Sequence, residues 1–416
     1  MKDNNAFCIL PFVHTFLDTN GNVKPCCVAG DDLGGQDQNG VIGHLKDNTI
    51  EELFNSDKMK QIRLDMSQGK KPATCSTCYS GEAKGFYTPR QGNNHKLKDL
   101  IQPSIDSMQD DGYMEPKIKS WDIRYSNLCN LKCRSCGDDY STTWSKESSE
   151  YTDSEYKEIK AYEGEHPLDE HFQHVEHIYF AGGEPMIMPE HYETLTKLID
   201  INQAKNVTLF YNTNMTKLNY NKHHLPDYWN EFKRVDLGLS IDSFGERANY
   251  IRNGSVKWNK IESNIRTLSA YEKVMHFISP TISVMNVYTM TDLHRYFVEN
   301  NLIADINHIL FNILYYPNEY CLSILPKHIK EEIQAKIVDH LVWVKENGGT
   351  ETTLKQFQSL SEALNAESNP EHVAAFIKKT QHLDKIRNES FPDTFPEYKA
   401  WWEEITKDII PATNIQ

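Results

Sequence analysis

Eight of the nine cysteines precede residue 137: Cys8, Cys26, Cys27, Cys75, Cys78, Cys129, Cys133 and Cys136. The ninth is Cys321. In a reducing compartment such clustering points to metal rather than to disulfides. Cys129, Cys133 and Cys136 form C-x3-C-x2-C, an odd number of ligands. A closed zinc site takes four. Three thiolates on one short loop can instead hold three irons of a 4Fe-4S cube and leave the fourth iron open to a substrate or cofactor. On spacing alone, zinc completed by a distant residue and free thiols both stay open.

The triplet follows a predicted strand in IKSWDIRYSNLCNLKCRSC, with Ile118, Trp121, Ile123 and Tyr125 as its apolar and β-favouring residues, broken at Ser126–Asn127. Downstream, HIYFAGGEPMIM reads as a second strand ending in Gly182, Gly183, Glu184 and Pro185. Two glycines let a ligand approach the backbone closely. Glu184 offers a carboxylate to an amino group. GGEP alone is a weak signal; placed about fifty residues after C-x3-C-x2-C it is a strong one.

These two segments resemble the radical S-adenosylmethionine (SAM) superfamily. The resemblance implies that Cys129, Cys133 and Cys136 hold a 4Fe-4S cluster. Its open iron would chelate SAM, and reductive cleavage would give a 5′-deoxyadenosyl radical that takes a hydrogen atom from a substrate. Gly182, Gly183 and Glu184 would bind SAM, with Ser240 and Asp242 near its ribose and Arg252 at its carboxylate. The family's aromatic residue before the third cysteine is Ser135 here. The cluster needs an electron donor, such as flavodoxin or ferredoxin.

The spacing Cys8-x12-Gly21-x4-Cys26, then Cys75-x2-Cys78, resembles half of the auxiliary-cluster region of SPASM and twitch domains. Here it precedes the radical SAM segment, as in N-terminal twitch proteins. The resemblance implies a second, auxiliary 4Fe-4S cluster on Cys8, Cys26, Cys75 and Cys78. Gly-x4-Cys favours Cys26 over Cys27. A structural zinc site on the same thiols is the alternative. Cys321 is claimed by neither cluster and is a candidate hydrogen-atom donor, against the reading of a buried inert thiol.

These loops need elements to position them. Strands are predicted at 118–125, 176–181, 206–213, 234–242, 278–286 and 306–316, with helical spacing in 189–201 and 256–271 between them. Strand–helix alternation predicts an α/β fold with a parallel sheet. Six units match the partial (β/α)6 TIM-type barrel of the superfamily, whose sites lie at the carboxyl ends of the strands. The expected organisation is a twitch-like domain at 1–115, the barrel at 116–316 and a helical C-terminal extension at 317–416. In the extension, Ile329, Ile333, Ile337 and Leu341 share a helical face, and a Pro-started helix carries Trp401 and Trp402. Thr213, Asn214 and Asn286 end strands and read as turn or capping residues. His171, His174 and His177 read as bland, without carboxylate partners nearby.

The whole chain sets outer limits. It has 416 residues, 39% of them hydrophobic, and a net charge of −15. That excludes disordered and collagen-like chains and argues against coating duplex nucleic acid by charge. The positive stretch Lys84–Lys98 reads as a solvated loop. No apolar run spans a membrane and no secretory signal is read, so a cytoplasmic location is expected. The substrate expected is a peptide, with oxidative modification favoured over epimerisation. A sugar or nucleotide derivative is the alternative within the same chemistry. A non-catalytic iron–sulfur or zinc scaffold is the alternative outside it.

Overall fold

The computed structural model describes residues 5–30, 40–83 and 88–407. Its strands are β1 (His14–Leu17), β2 (Asn22–Lys24), β3 (Gly43–His44), β4 (Ser120–Ile123), β5 (His177–Phe180), β6 (Thr208–Thr213), β7 (Asn219–Tyr220), β8 (His223–His224), β9 (Arg234–Leu239), β10 (Val274–Ile278), β11 (Thr281–Ile282) and β12 (Asn312–Ile313). One sheet runs β10-β9-β6-β5-β4-β1-β2-β3. From β10 to β1 every neighbour is parallel, and β1-β2-β3 is an antiparallel meander. The expected α/β fold is present, with its parallel sheet, its cysteine-bearing N-terminal region and its C-terminal helices.

The N-terminal region supplies a strand to the barrel sheet. Thr15, Phe16 and Leu17 of β1 sit in register with Trp121, Asp122 and Ile123 of β4. The core is one continuous cluster from Phe7 to Trp402.

Two predicted strands differ from those observed. β10 starts at Val274 and stops at Ile278, and the span 306–316 contracts to β12. The hydrogen bonds explain the break. Ile278 N donates to His308 O, Leu310 N to Ile278 O, Asn312 N to Pro280 O and Leu314 N to Ile282 O. Pro280 has no N–H to give, so the ladder is broken where it would otherwise run on.

Side chains alternate between the two faces of the parallel sheet. In β6, Leu209 and Tyr211 are fully buried, whereas Phe210 and Asn212 are half-buried. Tyr211 faces the helix Pro189–Asp200, where its hydroxyl meets His191 Nε2 at 2.8 Å. In β4, Trp121 packs on Phe172, and Asp122 takes the opposite face.

In the extension, the helix Lys327–Glu346 buries Ile329, Ile333 and Ile337 as its spacing predicts, with Leu341 partly buried. Helices Glu351–Ala363 and Pro370–Arg387 follow. Phe376 and Phe391 pack against Trp401 and Trp402.

Two bland readings are corrected. Within Lys84–Lys98, Lys84–Tyr87 lie outside the described residues. The rest is helical from Pro89, capped by Thr88, and Arg90 is buried against Glu82 at 2.5 Å. A positive stretch therefore became a buried ion pair, because Arg90 also donates to Phe7 O at 2.7 Å and secures the backbone beside Cys8. His171 has a carboxylate partner after all: Nε2 lies 2.7 Å from Glu51 Oε1, brought in by the distant helix Ile50–Phe54.

Candidate active site

The cysteine loop is built by side chains that satisfy its backbone. Buried Asn127 donates from Nδ2 to Asp138 O and Lys157 O and accepts from Ile159 N. Ser141 Oγ donates to Leu131 O, Thr143 Oγ1 to Cys129 O and Trp144 Nε1 to Cys133 O. A loop with so many carbonyls tied down is preorganised. Sequence reading missed these supports; the polar run STTW, which begins five residues after Cys136, was the available signal.

The GGEP strand end docks on that loop. Gly183 N donates to Ser126 O and Glu184 N to Leu128 O. A Cβ on Gly183 would stand 2.1 Å from Leu128 O, so only glycine permits this approach. Gly182 adopts φ +110°, a second reason for glycine.

Glu184 is 2% exposed. Its Oε1 accepts from Thr213 Oγ1 at 2.8 Å and Met186 N at 3.2 Å, and its Oε2 from Asn214 N at 2.7 Å. Burial pushes its carboxyl up to about 7, opposed by those donors. Three of its acceptor positions are taken, which leaves room for one more donor. Thr213 and Asn214 thus hold the carboxylate in place.

The thiols of the triplet influence one another. Each of the three thiols is raised by burial; Cys129 and Cys136 are raised further by Cys133, and Cys136 reaches about 12. Arg252 counters this. Its Nη1 lies 3.9 Å from Cys133 Sγ and favours the thiolate, the form that binds metal. Arg252 is itself held by Asp242, with Nη2 3.0 Å from Oδ1 and Nε 2.7 Å from Oδ2. Asp242 Oδ1 also accepts from Thr281 N at 2.8 Å. Arg252 and Asp242 are therefore brought together beside the cysteines. Ser240 is half-buried at the same strand end, its N–H donating to Thr213 O. Asn286 caps locally, donating from Nδ2 to Asp242 O and Thr281 O.

The N-terminal thiols form a second group. Cys8 is raised to about 12 by burial and, secondarily, by Cys75 and Cys78. Cys26 is raised by burial, by Cys27 and by Cys8 and Cys75. Cys27 instead interacts with Asp122 and Arg124 of the barrel. Gly21 turns the chain at φ +88°. Among the described residues no three His, Cys, Asp or Glu side chains stand at the spacing that holds one metal ion. The donor set fits iron–sulfur chemistry: two groups of thiols, one of three and one of four, with Cys8 and Cys78 buried and the others half-buried. Cys321 is half-buried, its Sγ 3.6 Å from Pro317 O and its thiol raised to about 11 by burial and by Glu319.

Comparison with known proteins agrees with this layout. Residues 123–296 match the radical SAM superfamily, and residues 8–79 match SPASM, an iron-sulfur cluster-binding domain. No curated protein matches the chain. Among solved structures, native anSMEcpe with bound AdoMet and Cp18Cys peptide is 19% identical, covering 55% of this chain and 61% of its own, with a TM-score of 0.40. Streptococcus suis SuiB bound to precursor peptide SuiA is 11% identical, covering 71% and 64%, with a TM-score of 0.36. The chain thus spans about three fifths of the length of these structures. No helix among the described residues is long and apolar enough to cross a membrane. The chain belongs to the radical SAM superfamily, with its SPASM iron–sulfur domain placed ahead of the barrel.

Proposed function

We propose that this radical SAM enzyme modifies a peptidyl substrate by hydrogen-atom abstraction. A 4Fe-4S cluster on Cys129, Cys133 and Cys136 would supply the electron that cleaves SAM to a 5′-deoxyadenosyl radical. The chain's own residues bind and orient. Glu184, fixed by Thr213 and Asn214, presents its remaining acceptor position to the SAM ammonium. Arg252, steered by Asp242, lies against Cys133 and favours its thiolate. Ser240 shares that strand end. Cys8, Cys26, Cys75 and Cys78 would hold an auxiliary 4Fe-4S cluster, able to take an electron from the substrate radical.

The observation that carries the reading is the docking of Gly183 and Glu184 on Leu128, which brings a buried carboxylate beside the cysteine loop. A peptide substrate rests on the SPASM match, since auxiliary-cluster relatives commonly modify peptides. Incubating the reconstituted protein anaerobically with SAM and dithionite should release 5′-deoxyadenosine. No release from protein with full iron content would leave an iron–sulfur scaffold.

A further inference from the structure

Arg124 has no part in the site so far. It follows β4 directly and shares one face of the sheet with Asp122. A Cβ built on Gly182 would stand 3.3 Å from Arg124 Cβ, so the arginine adjoins the GGEP strand end. Its guanidinium lies over the Phe16 ring, 5.1 Å from the centroid. Cys27, Tyr140 and Tyr179 surround it.

Its donors are underused. Asp122 Oδ1 is 3.6 Å from Nε, longer than a hydrogen bond, and Nε is buried without a hydrogen-bond partner. Arg252, by contrast, hydrogen-bonds Asp242. The Arg124 side chain is 26% exposed. A guanidinium in such a position normally spends its planar fork on a carboxylate or phosphate. Asp122 stands 3.6 Å from Nε, and that Nε is buried without a hydrogen-bond partner, so the fork is not fully spent on it. On a chain of net charge −15, an anionic ligand needs such a local anchor.

We propose that Arg124 binds an anionic group of the substrate, a carboxylate or a phosphate, and so orients the substrate in the barrel beside the SAM strand end. This rests on the radical SAM reading above. Phe16 stiffens the guanidinium by stacking, and Asp122 restrains it from the side away from the ligand.

The test uses the full iron-loaded chain under anaerobic conditions. Glutarate and inorganic phosphate serve as separate probes, titrated calorimetrically into wild type, Arg124→Met and Arg124→Lys, with SAM affinity measured alongside. Wild type should bind one of the two anions, and which one identifies the group. Arg124→Met should weaken it at least tenfold, the loss expected of a charge-assisted hydrogen bond. Arg124→Lys, which keeps the charge and loses the fork, should fall between. If Arg124→Met fails to fold, the lysine variant decides, and wild-type anion affinity in it overturns the proposal. Binding of neither anion by wild type overturns it too. A matching loss of SAM affinity in Arg124→Met places the guanidinium on the cofactor and also overturns it. Release of 5′-deoxyadenosine by wild type is measured in the same preparation. Its absence sinks the radical SAM activity, whereas release without anion binding sinks only the role of Arg124.

Discussion

Arg134 Nη2 lies 2.6 Å from Asp384 Oδ1, across 250 residues of sequence. Arg134 stands between Cys133 and Cys136, fully buried, and also meets Glu389 Oε2 at 2.7 Å. Its guanidinium covers the Tyr250 ring with Cζ 3.6 Å from the centroid. Nearby, Arg387 pairs with Glu147, which in turn pairs with Lys132 of the same cysteine loop. The C-terminal helix Pro370–Arg387 thus grips the cysteine loop from outside. Replacing both Asp384 and Glu389 by their amides leaves a buried arginine without a counter-charge. Breaking a buried pair in this way costs about 3–5 kcal/mol. The double variant should show that loss in urea denaturation and retain less iron on the triplet. Unchanged stability would mean that the extension merely rests on the loop.

Changing Cys129, Cys133 and Cys136 together to alanine should abolish 5′-deoxyadenosine release. Two 4Fe-4S clusters imply about 8 iron per chain, and about 4 should survive in this variant. Stoichiometric zinc with no residual iron would turn the N-terminal site into a zinc site. Undiminished release would sink the assignment of the triplet.

The triplet, the GGEP strand end and the alternation of strands were legible because each is a local pattern. C-x3-C-x2-C and Gly182–Gly183–Glu184 carry their spacing in the sequence. The support of Glu184 by Thr213 and Asn214 was not legible as such, since a strand-end Thr-Asn pair equally suits a turn. Nor was the parallel pairing of β1 with β4, which joins residues about 106 apart in sequence. The span 306–316 misled because its apolar residues predict a strand and Pro280 of the partner segment removes the donor that would extend it. Arg90 belongs to a stretch that reads as solvated, and the carboxylates of both Arg90 and Arg134 arrive only through folding.

Glu184→Gln should weaken SAM binding about 10- to 150-fold, the cost of a charge-assisted hydrogen bond of about 1.5–3 kcal/mol. Iron content should stay intact, because Glu184 holds no iron. The geometry adds a second effect. Gln would point an amide N–H₂ at one of the donors now bonded to the carboxylate, loosening Asn214 or Thr213. Calorimetric SAM titration checks this, and unchanged affinity would make the GGEP match accidental.

Acid should destabilise the fold through its buried histidines. Burial pushes His191 and His340 down to about 3 and His294 to about 4, from the ordinary value near 6.5. Unfolded chains bind these protons and the fold refuses them. The stability each contributes is therefore full above about 6.5 and is lost as pH falls from there towards its folded pKa. Asp122 and Glu184, pushed up by burial to about 6 and about 7, act oppositely: their stability is present at low pH and lost as pH rises. His191→Phe should flatten the stability slope between pH 6.5 and 5.5 by about 1 kcal/mol per pH unit. Urea midpoints at several pH values measure it. An unchanged slope would mean that His191 is already protonated in the fold.

Cys321 separates the reaction types. Epimerisation returns a hydrogen atom to a carbon radical, and a thiol can give one. Oxidative modification instead removes an electron and a proton after the first hydrogen atom, and an auxiliary cluster on the N-terminal thiols would be the electron acceptor. The N-terminal thiols raise one another's pKa, and Cys321 is half-buried against Pro317 O. Cys321→Ala should therefore retain turnover once a substrate is in hand, with a product two hydrogens lighter than the substrate by mass spectrometry. A product of unchanged mass that requires Cys321 would establish it as the hydrogen donor and make the N-terminal cluster a bystander to that step.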